Sequence, residues 1–213
     1  MEDKRILIAD DHFAIRSGIK HILANEFSGI QFGEATSAAE VFQQIKLQPW
    51  DILILDINFP DRNGLEILKQ LKEEGTGIPI LVFSMYREEQ IAVRALKAGA
   101  SGYLAKDAGD RELVKAIQQL LNGRKYISLS VAELLASQLE APYDKAPHEI
   151  LSDREYQTLI LIASGKSVSQ IAAEISLSVP TISTYRARIL EKMGLKNNAE
   201  ITHYVIDNRL NVL

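Results

Sequence analysis

The chain contains no cysteine. Disulfides, thiolate metal sites and a cysteine nucleophile are therefore excluded. Long apolar runs are missing as well. The first strongly apolar stretch, Ile6–Ala9, is too short for a signal peptide, and no later run could span a bilayer. A cytoplasmic location with no membrane partner is the expectation. Neither sign of charge dominates, since 24 Lys and Arg face 28 Asp and Glu, a net of −4. The imbalance is uneven along the chain. Residues 1–123 carry 14 basic and 18 acidic residues, residues 124–150 carry 3 and 4, and residues 151–213 carry 7 and 6. Arg186, Arg188, Lys192 and Lys196 crowd one short stretch of the last segment, a pattern that suits an anion-binding end. With 46% hydrophobic and 24% charged residues, the composition is that of a soluble globular protein, and 213 residues suffice for two small domains.

The first 123 residues alternate short apolar runs with segments of helical spacing. The runs are Arg5–Ala9, Ile30–Ala35, Asp51–Leu55, Ile78–Phe83 and Gly102–Leu104; the helical spacing is clear in Ile15, Ile19, Ile22, Leu23 and in Leu113, Ile117, Leu120, Leu121. Gly99 and Gly123 stand where helices should stop, and Asp110 is read as the N-cap of the last helix. Nearly continuous apolar strands separated by helices predict an α/β fold, a doubly wound five-stranded parallel sheet covered on both faces. In such a sheet the ligand site lies beyond the carboxyl ends of the strands.

Residues 124–149 break the rhythm. Val131, Leu134, Leu135 and Leu139 suit a short amphipathic helix, and Ala141–Pro147 reads as an extended linker. From residue 150 onward the pattern is purely helical. Ser152 to Glu155 and Ser167 to Gln170 are capping boxes, Ser178 caps a third helix with Pro180 in its first turn, and Asn197 or Asn198 opens a fourth. Two short helices joined at Ser176-Leu177, the second carrying the basic residues, outline a helix-turn-helix in a small all-α domain over residues 150–213.

Asp10 and Asp11 follow the first strand, Asp56 the third, Ser84 the fourth and Lys106 the fifth. A single aspartate at a strand end is ordinarily a cap or turn residue. Five polar residues at the ends of four strands of one sheet should instead share a pocket. Carboxylates brought together repel, and a hard divalent cation, Mg²⁺ above all, relieves that repulsion. Asp56 can then act as a carboxylate nucleophile toward a phosphoryl group, with Lys106 and Ser84 meeting the phosphoryl oxygens. His12, His21, His148 and His203 are scattered without ligand spacing and are read as structural or solvated.

Asp10-Asp11-His12 with Arg16 and Gly18, Leu55-Asp56 with Pro60 and Gly64, Ser84, and the stretch Gly99 to Asp107 closely resemble response-regulator receiver domains over residues 4–123, a flavodoxin-like fold. The resemblance implies that Asp56 is the phosphoacceptor, that Asp10, Asp11, Asp56 and the Asn58 main-chain carbonyl hold the metal, and that Ser84 and Lys106 sense the phosphoryl group. Tyr103 takes the place of the switch aromatic that turns inward as Ser84 moves. Serine at position 84, where threonine is common, keeps the hydroxyl. Asn58 and Tyr86 lie two residues beyond Asp56 and Ser84, and a bulky Tyr86 should slow self-dephosphorylation.

Ile182, Tyr185, Ile189 and Met193 fall on one helical face, opposite Ser183, Thr184, Ala187, Arg188 and Glu191. Small polar and basic side chains on one face suit a groove-reading helix, with Lys166, Thr181, Arg186 and Lys192 as phosphate contacts. Leu151-Ser152, Arg154-Glu155, Ala163, Gly165, Ile171-Ala172, Leu177-Ser178, Thr181-Ile182, Lys192-Met193-Gly194 and Ala199-Glu200 resemble the four-helix DNA-binding domain of LuxR-type regulators over residues 150–210. Ser183, Tyr185 and Ala187 depart from the family, which often has a basic residue, a histidine and a polar residue there, so base contacts do not transfer wholesale.

Both resemblances together imply a NarL/FixJ-class response regulator. A sensor histidine kinase would phosphorylate Asp56 and thereby control binding of double-stranded DNA as a homodimer, with RNA polymerase open as a further partner. The last helix offers Ile201, Tyr204 and Val205 either for pairing or for packing within its own domain. The chain is then no enzyme beyond slow Mg²⁺-dependent self-phosphorylation from small donors and self-dephosphorylation. A dedicated aspartate phosphatase would want two aspartates separated by one residue after its first strand, whereas Asp10 and Asp11 are adjacent. The remaining alternative is a phosphorylation-independent interaction and DNA-binding module with a vestigial receiver.

Overall fold

A computed structural model describes residues 4–59, 62–86, 88–140, 146–208 and 210. Pro60, which belongs to the receiver resemblance, and most of the expected linker, Ala141–Lys145, lie outside the described residues. Two compact units divide the chain, Met1–Leu135 and Ala136–Leu213.

In the first unit the elements run β1 (Lys4–Ala9), α1 (Phe13–Glu26), β2 (Ile30–Ala35), α2 (Ala38–Leu47), β3 (Ile52–Leu55), α3 (Gly64–Glu73), β4 (Ile80–Ser84), α4 (Glu88–Lys97), β5 (Gly102–Ala105) and α5 (Asp110–Leu121), and the division between the units falls within α6 (Leu129–Glu140). The strands form one sheet in the order β2-β1-β3-β4-β5, with every pair parallel. This is the doubly wound arrangement expected from the alternation, and it reverses direction between β1 and β3.

Period-2 geometry explains why the interior stretches of β1, β3, β4 and β5 are apolar, whereas the edge strand β2 carries Gln31 and Glu34. Ile6, Ile8, Ile52, Ile54, Leu81, Phe83 and Leu104 pack with Ile19 and Leu23 of α1 and with Leu113, Ile117 and Leu120 of α5. Their neighbours Leu7, Leu53, Leu55 and Val82 point to the opposite face and are equally buried. A strand covered on both sides has no position where a polar side chain reaches water, so in β1, β3 and β4 the chemistry-bearing polar residues stand at or just past the carboxyl end.

Two boundaries differ from the sequence reading. Ser84 is the last residue of β4 rather than the residue after it. Gly109, not Asp110, is the N-cap of α5, and its φ of 86° is a conformation open to glycine. Asp110 moves into the first turn, where its carboxylate still complements the helix dipole.

The second unit contains a 3₁₀ turn (Pro147–Ile150), α7 (Asp153–Ala163), α8 (Val168–Glu174), α9 (Val179–Met193) and α10 (Asn198–Asp207). Pro147 therefore opens a helical turn instead of ending an extended linker, which its fixed φ permits at a first helical position. Both capping boxes form, Ser178 and Asn197 cap α9 and α10, and Gly194 ends α9 in the left-handed region. Helix α7 packs against α9 and α10, and α8 against α9. The turn between α8 and α9 places Ser176 at a φ of 54°. It closes with the Leu177 N–H donating to the Ala172 carbonyl at 2.9 Å.

Candidate functional site

Hydrogen bonds between strand ends gather the polar residues of the first unit. The Asp10 N–H donates to the Ala35 carbonyl, the Asp56 N–H to the Ala9 carbonyl, and the Lys106 N–H to the Ser84 carbonyl, at 3.1, 2.9 and 2.8 Å. Each bond extends a ladder by one residue and brings a chemistry-bearing side chain to the same edge of the sheet. Lys106 Nζ then lies 2.5 Å from Asp10 Oδ2 and 2.9 Å from Asp56 Oδ2, and all three side chains are at least 96% buried. The sequence-predicted Asp10, Asp56 and Lys106 are thus in direct contact. Asp11 borders them with its side chain 30% exposed. Ser84 is fully buried and tied to Lys106 through the backbone, while its hydroxyl accepts from the Tyr86 N–H at 3.4 Å. Asn58, two residues past Asp56, forms an isolated antiparallel bridge with Asn63.

Burial pushes the Asp56 carboxyl up to about 6, with Asp10 adding to the effect and the Lys106 ammonium pulling against it. For Lys106 burial works against the charge, but the carboxylates of Asp56 and Asp10 hold its pKa above the usual lysine value. The ammonium therefore neutralises two carboxylates that could not otherwise be buried together.

The fit of a divalent cation rests on the donor set. Asp10, Asp11, His12 and Asp56 each offer a ligand atom, all within 4.8 Å of one another. Asp10 Oδ2 and Asp11 Oδ1 are buried and accept no hydrogen bond; their contacts are ion pairs with Lys106 and His12. Three carboxylates gathered within reach of one point suit a hard cation, which would share or displace the Lys106 and His12 contacts. His12, read from sequence as structural or solvated, is 65% exposed yet stands 2.7 Å from Asp11 Oδ1. Its place next to Asp10-Asp11 was the signal that a search for ligand spacing overlooks.

Two further features hold the pocket in shape. A Cβ on Gly64 would lie 2.1 Å from the Asp56 carbonyl oxygen and 2.7 Å from Ile57 Cα, so the start of α3 approaches the Asp56 backbone as only glycine allows. The Arg16 guanidinium donates to the Asp10 carbonyl at 2.8 Å and to Glu34 at 2.6 Å. Tyr103 is turned inward, and its hydroxyl donates to the Tyr86 carbonyl at 2.5 Å.

On α9, Ile182 and Ile189 are buried while Ser183, Thr184, Ala187, Arg188 and Glu191 are exposed. Tyr185 and Met193 are half-buried at the margin of the apolar stripe. Several residues named as phosphate contacts have partners inside the unit. Lys166 pairs with Glu174 at 2.5 Å, Arg186 donates to Asn198 at 2.6 Å, and Lys192 pairs with the buried Glu155 at 2.6 Å. Burial opposes the Glu155 charge, but hydrogen bonds from Lys192 and Ser152 hold its pKa below the ordinary range. Thr181 contacts Ser178. Arg188 has no such partner among the described residues. Of the two uses open to the apolar face of α10, packing within its own domain is the one seen. Ile201 and Val205 are fully buried in the packing of α10 on α7, and the Tyr204 hydroxyl is 2.9 Å from His148 Nδ1. Their hydrophobicity serves the unit's own core.

Residues 6–118 match the family described as response regulator receiver domain, and residues 149–205 match the bacterial regulatory proteins of the luxR family. The chain is 31% identical to response regulator UvrY of Escherichia coli (strain K12) over 207 residues, 96% of this chain and 94% of UvrY. It is also similar to a solved structure of RcsB from Salmonella enterica serovar Typhimurium bound to a promoter in the presence of the phosphomimetic BeF3−. That match has a TM-score of 0.60 and 25% identity, and covers 96% of this chain and 98% of the other. A structure of two RcsB dimers bound to two parallel DNAs aligns with a TM-score of 0.61 and 25% identity over 96% of this chain and 98% of that one.

Proposed function

The chain belongs to the response regulators that join a receiver domain to a LuxR-type helix-turn-helix, and from that premise we propose that phosphorylation of Asp56 controls its binding to DNA. The observation that carries this reading is the buried contact of Lys106 with both Asp10 and Asp56 at the ends of three strands. The Asp56 carboxylate attacks the phosphorus of a phosphohistidine on a sensor kinase, or of a small phosphodonor. The bond to the leaving group breaks, leaving an acyl phosphate on Asp56. Asp10, Asp11, Asp56 and the Asn58 carbonyl would hold Mg²⁺, which would supply charge neutralisation for the phosphoryl oxygens. Lys106, already paired with Asp56, exchanges that carboxylate for a phosphoryl oxygen, and the Ser84 hydroxyl donates to another. Because Ser84 and the Tyr86 carbonyl bound by Tyr103 lie on one short segment, movement of Ser84 reaches Tyr103 directly.

The receiver comprises residues 1–123 and the DNA-binding domain residues 150–213, with 124–149 between them. The protein works in the cytoplasm; among the described residues no helix is long and apolar enough to cross a membrane. RcsB, similar along nearly the whole chain, binds a promoter in the presence of a phosphomimetic and occurs on DNA as dimers, which supports phosphorylation-linked dimeric binding here. Lys166, Thr181, Arg186 and Lys192 meet backbone phosphates, and Ser183, Thr184, Ala187 and Arg188 face the base edges. A single recognition helix covers few base pairs, so specific binding uses two copies on a two-fold related site. RNA polymerase is the partner that would read out the bound dimer.

The test combines a small phosphodonor and Mg²⁺ with size-exclusion chromatography and selection from a random duplex pool. Acid-labile label on Asp56, loss of that label in Asp56→Asn and Asp11→Asn, and tighter DNA binding by the labelled protein are expected. Full labelling of the Asp56→Asn protein would overturn the assignment.

A further inference from the structure

We propose that α9 reads the 5-methyl group of thymine, with Thr184 as the residue that determines this preference; the inference rests on the DNA-binding reading above. Successive positions on a helix advance by about 100°, so Pro180, Thr184 and Ala187 lie along the centre of the outward face, flanked by Ser183 and Arg188. All five are exposed. The Thr184 hydroxyl donates to the Pro180 carbonyl one turn back, at 3.0 Å. Its only proton is thereby committed to the helix backbone, and a guanine or adenine acceptor in the groove cannot receive it. What the side chain still presents is its γ-methyl, beside an oxygen that can only accept. Along the centre of the face Ala187 contributes a methyl and Pro180 a ring, and polar groups are confined to the flanks, at Ser183 and Arg188. Arg186 and Lys192 are engaged with Asn198 and Glu155. Arg188 alone on this face offers a long donor without a partner among the described residues.

An apolar centre of this kind has one chemical complement in the major groove. Each base pair presents a distinct edge there, and thymine contributes the only methyl. The Thr184–Ala187 surface therefore selects an A·T pair with the thymine methyl seated between the two side chains, beside the pair that Arg188 contacts.

The experiment uses the full chain, activated with a small phosphodonor and Mg²⁺, on the duplex enriched from a random pool. Each dT of that duplex is replaced in turn by dU, which removes only the methyl. One position per half-site should lose about fourfold in affinity, the equivalent of roughly 0.8 kcal/mol for one buried methyl-sized group. Thr184→Ser keeps the hydroxyl and deletes the methyl, so its preference for dT over dU should shrink to well below fourfold, with only Ala187 left to contact the thymine methyl. Thr184→Val keeps a methyl and deletes the hydroxyl, so it should retain the fourfold preference. Residue 184 is exposed, and matching thermal unfolding of the two variants will confirm that the fold is kept. If no position is sensitive to dU, or if Thr184→Ser discriminates as well as the unmodified chain, the inference is wrong while the DNA-binding reading stands. If activation enriches no duplex at all, both fall together.

Discussion

Replacing Asp56 with asparagine should stabilise the metal-free receiver at neutral pH, because the buried carboxylate is a strained component of the resting fold. Its pKa is raised from 3.8 to about 6, chiefly by burial. A folded-state pKa above the unfolded one means that the folded form holds the proton more tightly. The associated stability is fully present below pH 3.8 and is lost as the pH rises through about 6. The difference of 6 − 3.8, about 2.2 units at 1.36 kcal/mol each, sets an upper bound of about 3 kcal/mol at pH 7.5. Asparagine cannot ionise and escapes that loss, but it gives Lys106 Nζ, 2.9 Å from Asp56 Oδ2, a weaker partner. Lys106 keeps Asp10 at 2.5 Å. A net gain of about 1–2 kcal/mol is therefore expected. At pH 4.5 the same linkage leaves roughly a third of the effect. Trp50, the chain's single tryptophan, is buried in the receiver and reports on that unit alone in a urea titration. The titration should be run with EDTA at pH 7.5 and 4.5, and again with Mg²⁺, which should stabilise the unmodified chain and leave the variant unmoved. Equal or lower stability of Asp56→Asn at pH 7.5 in EDTA, or a gain independent of pH, would refute the reasoning.

Gly64→Ala forces a Cβ to within 2.1 Å of the Asp56 carbonyl oxygen, so it should lower receiver stability by about 2–3 kcal/mol and slow labelling of Asp56 by phosphodonor. Trp50 fluorescence and a labelling time course check both effects. Tyr86→Ala should speed hydrolysis of the acyl phosphate by opening a path for water beside Ser84, measured as loss of acid-labile label; an unchanged or slower rate counts against shielding by Tyr86. Lys192→Ala should weaken binding to specific and scrambled duplexes alike and flatten the salt dependence by about one unit. It should also loosen the second unit, because the buried Glu155 loses its cation. Arg188→Ala should instead reduce discrimination between the two duplexes by about 1–3 kcal/mol, and an equal loss on both would make Arg188 a phosphate contact.

Resting receiver chemistry depends on one ammonium serving two carboxylates. Lys106 stands where incoming positive charge is needed, so a cation entering beside Asp10, Asp11 and Asp56 must share or displace its contacts. The pocket is thus kept foldable without metal while its carboxylates remain available. Arg16 contributes from outside by fixing the Asp10 carbonyl against Glu34, itself paired with Lys20.

The alternation of apolar strands with amphipathic helices was readable from residues alone, because strands buried on both faces leave a continuous apolar signature that no local accident reproduces. The caps of α7, α8, α9 and α10 were equally legible. A serine or asparagine three residues before its backbone partner is a short-range signal, and the hydrogen bond it predicts is the one that forms. Asp10, Asp56, Ser84 and Lys106 could be named because they are the first polar residues at or just past the strand ends. Their sequence separation hid the pairing itself. Only the register of β1, β3, β4 and β5 decided that Lys106 bridges Asp10 and Asp56, and only the approach of α3 showed why residue 64 is glycine. Amphipathicity could not tell whether Ile201 and Val205 face a second copy or their own core, since either burial writes the same spacing; contact with α7 settled it. Nor could sequence show that Lys192 reaches back to Glu155 across 37 residues, or that the Thr184 hydroxyl is turned into its own helix. Local hydrogen bonds and burial periodicity are encoded within a few residues. Which charged groups meet depends on distances set by the whole packed chain, and those exist only once it has folded.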